Sequence, residues 1–363
     1  MKMSTHRCFL KMSRYRRTTF AIITIALTST LFLSSNTSLS WITSRYYDHR
    51  GYLMSRSEEQ QFNLQEIAKT LRVPHEINTF NFDKFKKEYL TYIDPGSIVV
   101  TKDNIKIGQQ VGIYFNKNAK VTVDEKLYNL LPDAVPLKKS YSTCSLVGSS
   151  GILGGSGCGK QIDNADFVLR MNLPPLTNYS ADVGIKANLT TMNPSIIKKR
   201  YYYLHRKKDK DSFMNNMKEF KTYIYIPVFA TSNGYALSIK VAEAFTNTKD
   251  YPIKPLFMHP SHFLGSTSFW RDNGITATRI SSGLYMVSVA LTLCDKVNLY
   301  GFWPFHKDHN NLTVEYHYYE KPFVPLPKVH KFAEEFSNLL ELHNKGVLNM
   351  HVGTCDEQPN VVS

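Results

Sequence analysis

Residues 144–160 read CSLVGSSGILGGSGCGK, the densest glycine cluster of a 363-residue chain, placed directly after a short apolar run. Residues 145–147, Ser-Leu-Val, have the length and residue types of a buried strand, and Gly148, Ser149, Ser150 and Gly151 follow as a turn. A strand that feeds a glycine-rich turn and then a helix brings backbone amides and a helix N-terminus close to a phosphate. The segment therefore predicts a nucleotide site. Gly154 to Lys160 also spells the GxxxxGK of a phosphate loop, but Gln161 stands where that loop needs a Ser or Thr hydroxyl for magnesium. The strand exits at Gly148 rather than Gly154, and no GxGxxG fingerprint is present. Both points argue against an NTPase or a Rossmann oxidoreductase.

Toward the N-terminus, residues 1–17 carry Lys2, Arg7, Lys11, Arg14, Arg16 and Arg17 with no acidic residue, and 18–44 carry no charge at all. The stretch 18–42 is about as long as the ~20 residues a spanning helix needs. The basic flank predicts a cytosolic tail at 1–17, a signal anchor at 18–42 and a luminal remainder. A cleaved signal peptide is the alternative reading. Residues 43–70 are polar and of mixed charge, as expected of a stem, and 71–363 read as one catalytic domain.

A luminal domain predicts oxidised cysteines and glycans. Cys144, Cys158, Cys294 and Cys355 lie beyond the anchor and allow three pairings, while Cys8 would face the reducing side. Sequons stand at Asn36, Asn178, Asn188 and Asn311.

Strand-like runs at 167–169, 223–227 and 297–300 alternate with helical patterns at 283–294 and 332–342. This alternation predicts an α/β fold, a sheet with helices on both faces and a ligand at the carboxyl ends of its strands. The net charge of +14 is spread along the chain, without the basic stripe or module that nucleic-acid binding requires. Asp209-Lys210-Asp211 matches the Asp-x-Asp of metal-dependent nucleotide-sugar transferases. Its setting, RKKDKDS, with no apolar strand before it, reads instead as a solvated charged turn.

Four segments taken in order carry a resemblance. They are residues 144–172, with Asp163, Phe167, Arg170 and Asn172; 279–305, RISSGLYMVSVALTLCDKVNLYGFWPF; 317–320, HYYE; and 330–335, HKFAEE. In this order and spacing they resemble the large, small, third and very-small sialylmotifs of animal sialyltransferases, and YGFWPF is similar to the α2,8 branch. The resemblance spans about residues 70–355. It implies a variant GT-A, Rossmann-like fold with a mostly parallel sheet, a type II Golgi membrane protein, CMP-sialic acid as donor and no metal.

The resemblance also assigns roles. His330 would be the general base that takes the acceptor proton, a task suited to an imidazole titrating near neutrality, and His317 would stabilise the departing phosphate. Asn172, Ser281, Ser282, Gly283 and Trp303 match donor-binding positions, as does Ser149. Ser149 departs from the GNSG or GNGG usual there, and a lost hydrogen bond costs about 0.5–1.5 kcal/mol. Ala333 stands where relatives carry proline, and Met171 where the branch often has cysteine. Within this branch the cysteines pair 144 with 294 and 158 with 355. CMP with its single phosphate needs less charge neutralisation than a nucleoside diphosphate, so histidine and hydroxyl donors suffice without an ion.

The leading expectation is inverting transfer of sialic acid to the 8-hydroxyl of a terminal sialic acid on a glycolipid or glycoprotein. One alternative is an α2,3- or α2,6-sialyltransferase acting on galactose or N-acetylgalactosamine. Another, kept open by Ser149 and Ala333, is a catalytically weak Golgi sialoglycan-binding protein. Residues 112–143 carry five lysines against three acidic residues, too modest a balance to hold a polyanion. Mono- or oligosialylation is therefore expected rather than a long polymer.

Overall fold

The structure, a computed structural model, describes residues 54–355 apart from Pro74, Lys139, 247–250 and 321–329. The expected tail, the expected anchor at 18–42, the first part of the expected stem and the sequon at Asn36 lie outside the described residues. Among the described residues no helix is long and apolar enough to cross a membrane.

Helices α1 (Arg56–Glu59) and α2 (Leu64–Arg72) fall in the span expected as stem. α2 starts on Asn63, whose side chain accepts the Glu66 N–H, and buries Ile67, Ala68 and Leu71. Phe62 packs edge-on against Phe305 and Phe336 at 5.1 and 5.7 Å between ring centres. The folded body thus extends N-terminal of residue 71. The polar composition that suggests a stem is the solvent face of an amphipathic helix.

α3 (Thr79–Tyr89) follows, then an antiparallel hairpin of β1 (Gln110–Ile113) and β2 (Asn116–Thr122), and α4 (Glu125–Asn129). The main sheet contains β3 (Tyr141–Val147), β4 (Phe167–Arg170), β5 (Leu189–Thr191), β6 (Tyr223–Ile226), β7 (Lys254–Phe257), β8 (Cys294–Tyr300) and β9 (Asn349–His351). Its order is β7-β6-β5-β4-β3-β8-β9, and every neighbouring pair is parallel. Parallel strands covered on both faces need near-continuous apolar runs. FVLR of β4 is buried throughout, and YIYI of β6 after its first residue.

The crossovers supply α5 (Gly159–Asp163), α6 (Ser180–Val183), α7 (Pro194–Tyr201), α8 (Lys207–Asn216), α9 (Ser232–Thr246), α10 (Pro260–Asp272), α11 (Ser282–Leu293) and α12 (Phe332–Asn344). Strands are laid down from β3 outward to β7, and the chain then returns to place β8 on the other side of β3. Right-handed crossovers require opposite sheet faces for the two halves of such a path, which makes the β3/β8 junction the topological switch point. β3 and β8 both begin earlier than their apolar cores suggest, because the more polar residues Tyr141 and Thr143 pair with Cys294 and Lys296.

Disulfides join Cys144 to Cys294, with Cα atoms 6.0 Å apart, and Cys158 to Cys355, with Cα atoms 4.9 Å apart. Cys294 is the cap that ends α11 and the first residue of β8, so the first bridge clamps the two switch-point strands. It closes a separation of 150 residues, worth about 5 kcal/mol on a chain-entropy view.

The glycine cluster differs from expectation in one respect. Only a three-residue 3-10 turn, Gly151–Leu153, follows Gly148, and the five-residue α5 comes later. Gly148 serves close backbone packing: its N–H donates to the Tyr300 carbonyl at 2.6 Å, and a Cβ there would collide with the carbonyl of Gly301. The helix whose N-terminus reaches the switch point is α11.

Candidate active site

A cavity of about 380 Å³ opens at the switch point. Its walls are the turn after β3, the residues after β4 and β5, the first turn of α11, the loop after β8, His317, and the start of α12. Ser149, Asn172, Ser281, Ser282, Gly283, Trp303, His317 and His330 all line it. Residues spread over more than half of the described chain thus converge because each follows a strand's carboxyl end or lies at the start of a helix, except His317, which lies in the loop beyond β8.

Asn172 and the next residue, Leu173, adopt left-handed backbone angles, φ 64° and 52°. Such angles are uncommon outside glycine, and asparagine tolerates them best. The Asn172 N–H donates to Thr191 Oγ1 at 3.0 Å. Ser149 accepts the Tyr318 N–H at 3.0 Å through its carbonyl, tying residues 317–320 to the glycine turn. The Ser149 side chain lines the cavity beside Tyr319. Trp303 is less available than its position suggests: it is 3% exposed, its Nε1–H donates to the Lys307 carbonyl at 2.8 Å, and its ring packs against Phe305 and Phe336. It forms a wall rather than a free hydrogen-bond donor.

Ser281 caps α11, its Oγ accepting the Leu284 N–H at 3.0 Å. Its own N–H donates to Glu335 Oε1 at 2.8 Å. Glu335 is buried in the same wall, and burial pushes its carboxyl up to about 7 against the lowering effect of Ser281. Sequence reasoning missed this residue. The available signal was a carboxylate on the apolar stripe that Ala333, Phe336 and Leu339 make along α12. Ser282 Oγ accepts from Asn193 Nδ2 at 3.2 Å, and Met171 packs beside Gly283.

His330 Nδ1 lies 2.9 Å from the carbonyl of Arg279. A carbonyl only accepts, so Nδ1 carries the proton and Nε2 is left with a free lone pair. Burial holds this imidazole below its usual value, and the Arg279 charge adds to the effect. It is therefore a neutral acceptor near pH 7. His317 differs, with Nδ1 3.0 Å from Glu320 Oε2 and its ring stacked on Tyr319. Burial lowers its value while Glu320 raises it, and Arg200 reaches the other Glu320 oxygen at 3.4 Å.

A second cavity of about 720 Å³ adjoins the first. Asn193, Ser195, Ser282 and His330 line both. His330 therefore stands at the junction of the two spaces.

Among the described residues no group of three or more His, Cys, Asp or Glu is placed to hold a metal. Asp209 and Asp211 lie in the first turns of α8, where the sequence suggested a solvated charged turn, and Asp209 is buried rather than solvated. Asp209 takes two hydrogen bonds from the Arg206 guanidinium, at 2.8 and 2.9 Å, and Asp211 pairs with Lys207 at 2.8 Å. Of the sequons, Asn178 and Asn311 are exposed. Asn188 is half-buried, its Oδ1 accepting the Val168 N–H at 2.8 Å, and the Thr190 of its sequon is fully buried.

Residues 99–347 match the family described as "Glycosyltransferase family 29 (sialyltransferase)". The chain is 39% identical over 286 residues to the Alpha-N-acetylneuraminide alpha-2,8-sialyltransferase of Xenopus tropicalis, covering 77% of this chain and 80% of that one. It is 34% identical over 297 residues to Alpha-2,8-sialyltransferase 8F of Mus musculus, covering 81% and 74%. A crystal structure of a mammalian sialyltransferase aligns at TM-score 0.43 with 22% identity, covering 83% of this chain and 86% of that one.

Proposed function

Because the chain belongs to glycosyltransferase family 29, the sialyltransferases, we propose that it transfers sialic acid from CMP-sialic acid to the 8-hydroxyl of a terminal sialic acid. The α2,8 linkage rests on the names of the relatives and on YGFWPF at 300–305. The observation that carries the mechanism is the position of His330 between two adjoining cavities, its Nδ1 committed to the Arg279 carbonyl and its Nε2 left as the acceptor nitrogen.

In this reading the donor occupies the smaller cavity and the acceptor the larger. The acceptor oxygen attacks the anomeric carbon of the donor sugar while its proton passes to His330 Nε2. The bond from that carbon to the phosphate oxygen breaks and CMP departs from the opposite face, so configuration inverts. His317, held by Glu320, stabilises the charge on the leaving phosphate. The N-terminus of α11 contributes its unpaired amides and dipole at the same wall. Ser149, Asn172, Ser281, Ser282, Gly283 and the Trp303 wall shape the donor site.

The two disulfides fit an oxidising lumen. With the apolar stretch at 18–42 they support a Golgi type II protein whose catalytic domain is luminal and glycosylated at exposed sequons. The product is a mono- or oligosialylated glycan. Incubating the purified chain with CMP-sialic acid and either a sialylated or a galactose-terminated glycan tests the proposal. A new α2,8 linkage on the sialylated glycan alone is expected, and transfer only to galactose would refute it.

A further inference from the structure

The larger cavity carries an electrostatic signature that the reaction itself does not demand. Among the described residues no Asp or Glu lines it, whereas Lys198, Arg279 and His330 do. The Arg279 guanidinium lies 3.8 Å from the centre of the Phe115 ring, and both residues belong to the cavity wall. Stacking on a ring fixes the plane of the guanidinium while leaving its edge donors open. Among the described residues Arg279 forms no ion pair with a carboxylate. A planar cation held in a cavity, with no carboxylate partner among the described residues, suits a planar anion that it can grip with two parallel hydrogen bonds.

Resting on the function proposed above, we infer that Arg279 binds the carboxylate of the acceptor's terminal sugar and so selects acidic acceptors over neutral ones. The same residue holds His330 through its backbone carbonyl. One residue would thus fix both the base and the sugar on which the base acts. The chemistry of the acceptor agrees: in sialic acid the carboxylate sits on C2, and the glycerol arm bearing O8 leaves from C6, one ring oxygen away. A carboxylate anchored on Arg279 turns that arm toward the neighbouring imidazole. Lys198 is exposed and adds a longer-range attraction at the cavity rim, near Tyr203.

The test pairs enzyme variants with acceptor variants. Wild type, Arg279→Met and Arg279→Lys are assayed on a sialylated acceptor and on the same acceptor with its terminal carboxylate converted to the amide. Thermal melts and CMP titrations confirm that each variant is folded. Wild type is expected to lose about 10- to 100-fold in kcat/KM on the amide, the range of a charge-assisted hydrogen bond. Arg279→Met should lose a similar factor on the carboxylate acceptor and treat the two acceptors alike. Arg279→Lys, which keeps charge without the fork, should fall between. A wild-type preference for the carboxylate that persists undiminished in Arg279→Met would overturn the inference while leaving the function intact, as would a wild type indifferent to the amide. A wild type that sialylates neither acceptor would sink both. Should Arg279→Met not fold, the carboxylate-to-amide ratio of Arg279→Lys decides alone: a ratio equal to that of wild type refutes the assignment.

Discussion

Glu335 Oε1 accepts the amide N–H of Ser281 at 2.8 Å, joining α12 to the cap of α11 at the wall of the smaller cavity. The bond holds the turn Ser281-Ser282-Gly283 in place. It also places a carboxyl where burial raises it to about 7. A carboxyl raised from its unfolded value near 4.3 contributes stability that is present below that value and is lost as pH rises through about 7.

Glu335→Gln keeps the acceptor oxygen and removes the ionisation. It should therefore be more stable than wild type at pH 8, by about 1–3 kcal/mol, with the difference vanishing by about pH 4.5. Glu335→Ala leaves the Ser281 N–H buried and unpaired, and should cost about 1–3 kcal/mol together with a raised KM for the donor. Urea unfolding at several pH values checks the first point. A pH-independent gap between Glu335→Gln and wild type would contradict the raised carboxyl.

The base assignment makes a separate demand. His330→Ala should lower kcat by about 10²- to 10⁴-fold while leaving the affinity for CMP within a few-fold of wild type, since the base acts on the acceptor proton. CMP titration calorimetry and steady-state kinetics on the folded variant measure both. Near wild-type turnover would move the role elsewhere, with His317 the first residue to examine.

Much of this site was legible because its members are marked by residue type. Glycine at 148 and the hydroxyls of Ser281 and Ser282 belong to positions where backbone geometry or a helix cap leaves few choices. The four-motif order then gave their assembly in space. Glu335 was hidden for the opposite reason: a glutamate in the first turns of a helix reads as an ordinary dipole-facing surface residue, and only the packing of α12 on Ser281 reveals it as buried. Arg279 was hidden because its role depends on Phe115, a residue of the loop between β1 and β2 far away in sequence. Helix α2 is not legible in the expected stem because an amphipathic helix with a narrow apolar stripe has nearly the composition of a stem.

Three histidines with depressed values set the acid limit. Burial brings His262 to about 3, and brings His343 and His351 to about 4. His343 Nδ1 accepts the Met350 N–H at 3.2 Å, His75 lies against its ring, and His351 stacks on Tyr300. A histidine depressed in the folded state contributes stability present above about 6.5 and lost as pH falls toward its folded value. Glu335 opposes this trend over part of the range, but three imidazoles outweigh one carboxyl. Unfolding free energy should therefore fall between about pH 6.5 and 4. His351→Phe, which keeps a ring against Tyr300, should flatten that slope by up to about 1.4 kcal/mol per pH unit, and an unchanged slope would rule His351 out as a contributor.

The last prediction concerns the chain Arg200, Glu320, His317. Arg200 Nη2 lies 3.4 Å from Glu320 Oε1, and Glu320 Oε2 lies 3.0 Å from His317 Nδ1. Burial outweighs the carboxylate and holds this imidazole below its usual value, and Glu320 is the group that works against burial. If protonated His317 stabilises the departing phosphate, Glu320 keeps that proton in place. Glu320→Gln retains a hydrogen-bond acceptor but not the charge. Burial and the Arg200 cation then act on His317 unopposed, so its proton is lost at lower pH. The alkaline limb of kcat should move to lower pH, and kcat at neutral pH should fall by about tenfold, the order of one charge-assisted hydrogen bond. His317→Ala should remove the limb and weaken CMP binding as well. A rate profile measured from pH 5 to 9 on wild type and Glu320→Gln separates this coupling from a purely structural role. A structural role would lower the rate without displacing the limb, and an undisplaced limb would assign the alkaline pKa to another group.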